Sequence, residues 1–268
     1  MEPVVTVIIG AGGLGLACAA QTSSKHSIVL ADNSAETLRK GVIALQEAGL
    51  NVISQEVDIT DADSVRDLVA FATAAGQVMA VIHTAGLAPT TAAAKEIYNV
   101  NLLGTSIIIN TFAPAMSRRS SMVCIASLAG HFVSFSPSLE SHIAASSADR
   151  ILHHNELKMD ATSSEAYTIS KRANLIQVQA ATSKWGKQGI RFNTISPGVI
   201  STAAGNRELE TAPGAKAMVD ISAAQRAGLP EEVANVASFL VGSSSSFVTG
   251  SDILVDGGAF ASRRWAGL

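Results

Sequence analysis

The sequence predicts an α/β fold: a single domain with a doubly wound, seven-stranded parallel sheet and helices on both faces. Seven short apolar, β-branched runs alternate with longer segments of helical periodicity. Strands that are apolar throughout are typical of parallel sheets covered on both sides. Right-handed crossovers between parallel strands favour the doubly wound arrangement. A length of 268 residues suits one large domain, which we expect to span residues 1–268.

The alternation places each element in turn. Strands are expected at residues 4–9, 27–31, 51–57, 78–83, 121–126, 190–195 and 253–255. Helices are expected near residues 14–22, 35–48, 61–74, 93–117, 165–186 and 230–241. In such sheets ligands bind beyond the carboxyl ends of the strands, so the residues that directly follow each strand are candidates for function.

Two long connections interrupt the alternation. Residues 131–164 are rich in Ser and Ala and too long for a bare loop, so we expect an insertion with short helices of its own, around 139–154. Residues 199–229 form a small, polar connection that we expect to be the substrate loop. Both connections are expected to lie over the ligand side of the sheet.

Composition and charge argue against several classes of protein. The chain is 47% apolar and 15% charged, with a formal net charge of −3, which argues against disorder, nucleic-acid binding and a basic membrane patch. The two cysteines, Cys18 and Cys124, are too few for a disulfide framework or a four-cysteine zinc site. A reducing cytoplasm is therefore expected, and the spacing of the histidines predicts no metal site.

The apolar first twenty residues resemble an export signal, but their only charged residue is Glu2 and no Lys or Arg precedes Lys25. A signal peptide needs a positively charged start. We therefore expect a strand, a glycine turn and a helix here. No other window is long and apolar enough to cross a bilayer.

A glycine-rich turn follows the first predicted strand. Its sequence, Gly10-Ala11-Gly12-Gly13-Leu14-Gly15, is the G-x-G-x-x-G pattern of Rossmann-type dinucleotide sites, here in the required context between a strand and a helix. Gly10 permits the tight turn, Gly12 lets the backbone approach a pyrophosphate, and Gly15 lets the helix pack on the strand. The N-terminus of the helix then faces the phosphate charge. The alternative is a purely structural turn.

Acidic residues follow the second and third predicted strands. Asp32 lies 22 residues after Gly10, where a carboxylate can bind both hydroxyls of an adenine ribose and would repel a 2′-phosphate. Its neighbour Asn33 adds no cation, so NAD is preferred to NADP. The alternative for Asp32 is capping of the helix near residue 35. Asp58 suits a hydrogen bond to an adenine edge, but capping of the helix at 61–74 is equally open.

A second group of residues suits proton transfer. Tyr167 and Lys171 lie at positions i and i+4 on one helix face, where the lysine would lower the pKa of the phenol and let it act as an acid or base. Ser127 directly follows the fifth strand and could polarise a substrate carbonyl. Asn101 is a poor helix former in a predicted helix, which suggests a role such as holding a water. Taken singly, Ser127 could be a strand-end cap, Asn101 a helix bend and Lys171 a solvated charge.

These residues are part of a wider resemblance. The chain is similar to the short-chain dehydrogenase/reductase family along nearly its whole length. The matching segments are the glycine loop 10–15, Asp32, Asp58-Ile59-Thr60-Asp61, His83-Thr84-Ala85-Gly86, Asn101-Leu102-Leu103-Gly104, Ile125-Ala126-Ser127, Tyr167 to Lys171, Ser196-Pro197-Gly198 to Thr202, and Val255-Asp256-Gly257-Gly258. Many matches in the same order indicate the family more strongly than any one motif does.

The resemblance implies a catalytic tetrad of Asn101, Ser127, Tyr167 and Lys171. Tyr167 would be the general acid/base, and Lys171 would bind the nicotinamide ribose and lower the pKa of the phenol. Ser127 would orient the substrate oxygen, and Asn101 would hold a proton-relay water. Besides Tyr167 and Lys171, the residues expected at the cofactor are Gly10, Gly12, Gly13, Leu14, Gly15, Asp32, Asn33, Asp58, Ile59, Ala85, Gly86, Pro197, Gly198, Ile200 and Thr202.

The sequence departs from the family pattern in three places. The glycine loop is one residue shorter than usual, which alters the pyrophosphate contacts. His83-Thr84 stands where two asparagines are usual, so a sheet-stabilising Asn is missing. Tyr167 lies 40 positions after Ser127, a much wider spacing than in most members, and this long insertion resembles that of the bacterial 3α-hydroxysteroid dehydrogenase/carbonyl reductase. By that resemblance, subunits of a homodimer or homotetramer would pair through the helix at 230–241 and the last strand.

The expected function is hydride transfer between NAD(H) and a small-molecule secondary alcohol or its ketone. The alternatives are an NADP-dependent carbonyl reductase, a sugar-nucleotide epimerase or dehydratase, and a non-catalytic nucleotide-binding regulator on the same fold. His131, four residues after Ser127, is expected to line the substrate pocket.

Overall fold

The computed structural model describes residues 3–22 and 26–266, so Glu2 and Lys25 lie outside the described residues. Seven strands form one parallel sheet in the order β3-β2-β1-β4-β5-β6-β7. The predicted fold class is therefore confirmed. The strands are β1 Val4–Ile9, β2 Ser27–Asp32, β3 Val52–Glu56, β4 Gln77–His83, β5 Ser121–Ile125, β6 Arg191–Pro197 and β7 Asp252–Val255.

Helices cover both faces of the sheet. Those in the described part of the chain are α1 Gly13–Thr22, α2 Ala35–Glu47, α3 Ala62–Ala75, α4 Ala94–Ile97, α5 Thr105–Phe112, α6 Pro137–Ala145, α7 Ser163–Trp185, α8 Ala203–Thr211, α9 Pro213–Ile221, α10 Pro230–Val241 and α11 Ala259–Trp265. No helix within residues 3–22 and 26–266 is long and apolar enough to span a bilayer.

The core lies on both sides of the sheet because the inner strands β1, β2, β4, β5 and β6 bury both of their faces. On β1, Val7 and Ile9 belong to the apolar cluster under α3, α5 and α7, whereas Ile8 belongs to the cluster under α1, α2 and α10. All three side chains are fully buried, and burial of such a side chain contributes roughly 1.5–3 kcal/mol. The continuous apolar strands of the sequence therefore reflect two cores rather than one.

The helix expected at 93–117 is present without interruption from Ala94 to Ala115, but it is not α-helical along its whole length. It comprises α4, a wide π-helical segment at Tyr98–Gly104, α5 and a short 3₁₀ turn at Ala113–Ala115. The π-helical segment contains Asn101, whose backbone carbonyl accepts a hydrogen bond from the Asn174 side chain of α7 at 2.7 Å. Such π-helical segments often occur at functional sites.

The insertion also differs in detail from the prediction. Its helix is α6, Pro137–Ala145, and not 139–154. The helix begins earlier because Ser136 accepts a hydrogen bond from the backbone of Leu139, and it ends earlier because Ser146 adopts an extended conformation. Residues of the insertion, including Leu139, Ile143 and Ile151, form a third apolar cluster with α4 and α7.

Two further helical regions were not predicted. The connection at 199–229 contains α8 and α9, although its small, polar composition gave no helical period. Thr202 caps α8 by accepting a hydrogen bond from the backbone of Gly205 at 3.0 Å, and Pro213 begins α9. The C-terminal segment forms α11.

Candidate active site

A cleft of about 510 Å³ lies at the carboxyl ends of β1, β2 and β4. It brings together twelve of the predicted cofactor residues: Gly10, Gly12, Gly13, Leu14, Gly15, Asp32, Asn33, Asp58, Ile59, Ala85, Gly86 and Thr202. The remaining five, Tyr167, Lys171, Pro197, Gly198 and Ile200, line a second cleft that shares a wall with the first. The first cleft is also lined by residues that the sequence did not indicate as cofactor contacts: Val57, Thr84, Val100 and Arg207.

The glycine loop has the geometry that its sequence predicts. Gly10 has a φ of +105°, and a Cβ atom on Gly15 would lie only 1.8 Å from the carbonyl oxygen of Gly10. A Cβ atom on Gly12 would meet nothing within 4 Å. Gly10 and Gly15 are therefore required by the turn itself, whereas Gly12 leaves an open approach to the backbone at the start of α1.

Asp32 fastens the glycine loop to the end of β2. Its carboxylate accepts hydrogen bonds from the backbone N–H groups of Ala11 at 2.8 Å and Ser34 at 3.0 Å. The alternative role in capping α2 is wrong, because Ser34 is the N-cap and accepts a hydrogen bond from Thr37. Asp32 and Asn33 both line the cleft, so the carboxylate is held in place at its edge.

Asp58 stabilises the turn after β3. Its side chain accepts hydrogen bonds from the backbone and the hydroxyl of Thr60 at 2.9 and 2.7 Å. The alternative that Asp58 caps α3 is wrong, because Asp61 is the N-cap of that helix. Asp58 and Ile59 line the same cleft as Asp32.

Thr84 stands where most family members have an asparagine, and its side chain forms hydrogen bonds between strands there. Its hydroxyl donates to the carbonyl oxygens of Ile9 and Gly10, both at 3.1 Å. These bonds join the end of β4 to the end of β1, and a Cβ atom on Gly10 would lie 2.5 Å from the same hydroxyl. The Thr84 hydroxyl therefore leaves no room for a side chain at Gly10. Neither residue predicts this contact by itself.

The second cleft, of about 740 Å³, lies beside the first. The two clefts share Leu14, Thr84, Gly86, Leu87, Thr202 and Ala204, so they are continuous. Apolar side chains form much of its wall, among them Leu87, Leu128, Phe132, Val199 and Met218. Ser127, Tyr167 and Lys171 line it together. The structure therefore brings these three predicted residues together in the second cleft despite the insertion.

Tyr167 and Ser127 line the same cleft. The pKa of Tyr167 is raised to about 12, first by burial and further by the charge of Glu208, while hydrogen bonding by the Ser127 side chain opposes the rise. The expected lowering by Lys171 is not present, which corrects the prediction. The Nζ atom of Lys171 lies 5.7 Å from the centre of the phenol ring, and the effect of burial is larger.

Lys171 is 6% exposed. Its ammonium donates a hydrogen bond to the carbonyl oxygen of Ile125 at 2.9 Å, at the end of β5. Burial lowers the pKa of Lys171 from 10.5 to about 8. The alternative of a solvated charge is therefore wrong.

Asn101 fastens the segment that follows β4. Its side-chain oxygen accepts from the backbone N–H of Leu87 at 2.7 Å, and its amide donates to the Leu87 carbonyl at 2.9 Å. Its own carbonyl accepts from Asn174 and from the Thr105 hydroxyl. Gln177 donates to the Leu102 carbonyl at 3.0 Å. The expected role of Asn101 in binding a proton-relay water stays a prediction.

Asn174 and Gln177 could have been found from the sequence by their spacing from Lys171. They lie three and six residues after Lys171 on α7, which puts all three on nearly the same helix face. Arg207 and Glu208 gave no such signal, because α8 itself was not predicted. Arg207 lines the first cleft and Glu208 the second.

His131 does not line the cleft, which corrects that expectation. Its Nε2 atom lies 2.9 Å from a carboxylate oxygen of Asp252 and 3.2 Å from the hydroxyl of Ser196. Its ring packs against Phe260, with centroids 5.5 Å apart. His131 thus joins the 3₁₀ turn at Leu128–Phe132 to β6 and β7. Among residues 3–22 and 26–266, no group of three or more His, Cys, Asp or Glu side chains could hold a metal ion.

The fold is of the Rossmann type, and comparison with known proteins identifies an oxidoreductase and gives its family. The family profile described as "short chain dehydrogenase" matches residues 3–139. A second profile, described as "Enoyl-(Acyl carrier protein) reductase", matches residues 153–259. The chain belongs to the short-chain dehydrogenase/reductase family, whose members use a nicotinamide cofactor, NAD or NADP.

Individual relatives agree with this assignment. The chain is 39% identical to the short-chain dehydrogenase/reductase bsc3 of Alternaria brassicicola, over 97% of each chain. It is 28% identical to the 3-alpha-hydroxysteroid dehydrogenase/carbonyl reductase of Comamonas testosteroni, over 82% of this chain and 91% of the relative. A solved short-chain type dehydrogenase/reductase from Mycobacterium ulcerans superposes with a TM-score of 0.78 at 26% identity, over 97% of this chain and 90% of that one.

Proposed function

We propose that the protein transfers a hydride between NAD(H) and a small-molecule secondary alcohol or its ketone, with Tyr167 as general acid/base. The observation that carries the proposal is that Ser127, Tyr167 and the buried Lys171 line one cleft, which is continuous with the cleft at the glycine loop. The Comamonas relative, named as both a hydroxysteroid dehydrogenase and a carbonyl reductase, supports an alcohol–ketone pair. We further propose a cytoplasmic homodimer or homotetramer.

The first cleft fits a dinucleotide. A side chain at position 12 would fill the open space over the glycine loop, and the N-terminal residues of α1 line the cleft, which suits an anion because helix N-termini bind anions. Gly10 to Gly15 would hold the pyrophosphate, and Asp32 would accept hydrogen bonds from the adenine ribose. Lys171, whose ammonium reaches the end of β5, would hold the nicotinamide ribose.

The proposed chemistry follows from the second cleft. Bound NAD⁺ would accept the hydride from the carbinol carbon. Ser127 would hold the substrate oxygen beside Tyr167, and the Tyr167 phenolate would take the hydroxyl proton as the carbinol C–H bond breaks. In reduction the Tyr167 phenol would return that proton to the ketone oxygen. Asn101 would keep the Leu87 backbone in place at the edge of the cleft.

The pKa of Tyr167 gives the two directions different pH dependence. Because burial raises this pKa to about 12, the phenol is neutral near pH 7 and can act as an acid in ketone reduction. Oxidation needs the phenolate, so its rate should rise toward alkaline pH. Reduction should lose rate only at high pH.

Replacement of the phenol tests the mechanism. Tyr167→Phe should reduce kcat by at least about a hundredfold, because it removes the acid/base group, while the Kd for NADH changes less than about threefold. Tyr98→Phe is the matched control, since Tyr98 is the other tyrosine of the chain and lies buried in the insertion's apolar cluster. Survival of turnover in Tyr167→Phe would refute the proposed mechanism.

Titration with NADH and with NADPH tests the cofactor. We expect tighter binding of NADH, because the carboxylate of Asp32 at the cleft edge would repel a 2′-phosphate. Tighter binding of NADPH would favour the carbonyl reductase alternative, for which Arg207 in the same cleft would supply a cation. Fluorescence and thermal unfolding with each nucleotide provide the measurement.

A further inference from the structure

Helix α8 presents a carboxylate to the substrate side of the site. Glu208 lines the second cleft together with Tyr167 and Ser127, and its side chain is only partly exposed. Its neighbour Arg207 lines the first cleft. The helix therefore contributes one charged residue to each cleft, and the mechanism above uses neither carboxylate oxygen of Glu208.

The position of Glu208 does not favour a negative charge. Burial raises the pKa of its carboxyl group, and the residue begins the last turn of α8, where the helix dipole disfavours an anion. In the described part of the chain, no hydrogen bond or ion pair of the Glu208 carboxylate is found. Perturbed carboxyl groups in a cleft, held without a structural partner, are candidates for ligand contacts.

The same carboxylate shares its cleft with the proposed proton-transfer group. Its charge raises the pKa of Tyr167. Glu208 therefore faces the space in which a substrate of Tyr167 would bind.

We propose that Glu208 is a specificity-determining residue that binds a second hydroxyl group on a largely apolar alcohol substrate, at a carbon other than the one oxidised. This inference rests on the proposed function. A substrate that covers the apolar wall of Leu87, Leu128 and Met218 also removes water from Glu208. Removal of water from a carboxylate without a new donor is costly, and a substrate hydroxyl supplies that donor.

A hydroxyl suits this position better than an ammonium group. Lys171 and Arg263 line the same cleft, so a cationic substrate would meet two positive charges besides Glu208. A neutral hydroxyl avoids this repulsion. It can also accept a hydrogen bond, so it satisfies Glu208 whether the carboxyl group is ionised or protonated.

Matched substrates test the proposal. We would measure kcat/KM with NAD⁺ for cyclohexanol and for the isomers of 1,3- and 1,4-cyclohexanediol. A site that hydrogen-bonds a substrate hydroxyl rejects the analogue that lacks it, so at least one diol should exceed cyclohexanol by about tenfold or more in the wild type. Glu208→Leu should bring this ratio to within about threefold of unity.

A second variant separates charge from hydrogen bonding. Glu208→Gln should keep most of the diol preference, because the amide still accepts a hydrogen bond. Its oxidation rate should rise at lower pH than that of the wild type, because the charge that raises the pKa of Tyr167 is gone. Glu210→Leu and Glu210→Gln are the controls, since Glu210 is exposed on the same helix and lines neither cleft; both should match the wild type.

These experiments distinguish failure of the Glu208 inference from failure of the proposed function. If the wild type oxidises cyclohexanol and every diol equally well, or if Glu208→Leu keeps the wild-type ratio, this inference is overturned and the proposed function stands. If the wild type neither oxidises these alcohols nor reduces cyclohexanone and the hydroxycyclohexanones, the proposed function fails and the inference fails with it.

Discussion

Replacement of Lys171 by methionine should abolish turnover and make the folded protein more stable. Burial lowers the pKa of Lys171 from 10.5 to about 8. At about 1.36 kcal/mol per pKa unit, the buried ammonium costs roughly 3 kcal/mol at pH 7. Methionine is unbranched and apolar, so it fits the same space without this cost. The lost hydrogen bond to the Ile125 carbonyl should cost about 1 kcal/mol.

The expected net effect is a gain of about 2 kcal/mol in the free energy of unfolding at pH 7. This gain should depend on pH in a defined direction. Between pH 8 and 10.5 the unfolded wild type holds a proton that the folded protein has lost, so wild-type stability rises with pH through this window. The Lys171→Met variant lacks this titrating amine, so its own stability should not change through this window. The stability difference between the variant and the wild type should therefore shrink with pH and vanish at about pH 10.

Urea unfolding of both proteins without nucleotide, at pH 7 and near pH 10, measures this difference. Lys187→Met is the control, because Lys187 is exposed and its replacement should change stability by less than about 0.5 kcal/mol. A Lys171→Met variant that is less stable than the wild type at pH 7, or whose advantage is the same at both pH values, would refute the electrostatic argument.

Three further predictions concern the nucleotide cleft. Gly15→Ala should prevent folding, because its Cβ atom would lie 1.8 Å from the Gly10 carbonyl oxygen. Gly12→Ala should fold normally but weaken NADH binding by about tenfold or more. Thermal unfolding and titration with NADH distinguish the two variants. Asp32→Ala should raise the Kd for NADH more than that for NADPH. Arg207→Ala should weaken both nucleotides to a similar extent if the guanidinium contacts the pyrophosphate. A loss confined to NADPH would instead place Arg207 at the 2′-phosphate.

The outcome for the helices shows the limit of local patterns. The alternation of apolar runs and helical periods predicts the sheet, since the inner strands of a covered parallel sheet bury both of their faces. The π-helical segment at Tyr98–Gly104 could not be read from the same pattern; the carbonyl of its Asn101 accepts a hydrogen bond from Asn174, which lies far away in the sequence. The helices α8 and α9 were missed because their small, polar residues bury few side chains.

By itself the sequence determined the family resemblance, the parallel sheet and most of the residues around the nucleotide cleft. These features follow from short-range rules: glycine spacing, strand period and the residue after each strand. Only the tertiary structure decided the direction of the Tyr167 pKa shift, the contacts of His131 and the placement of Glu208. Burial depends on what other elements cover a side chain, and in this protein the effect of burial exceeds that of the neighbouring lysine.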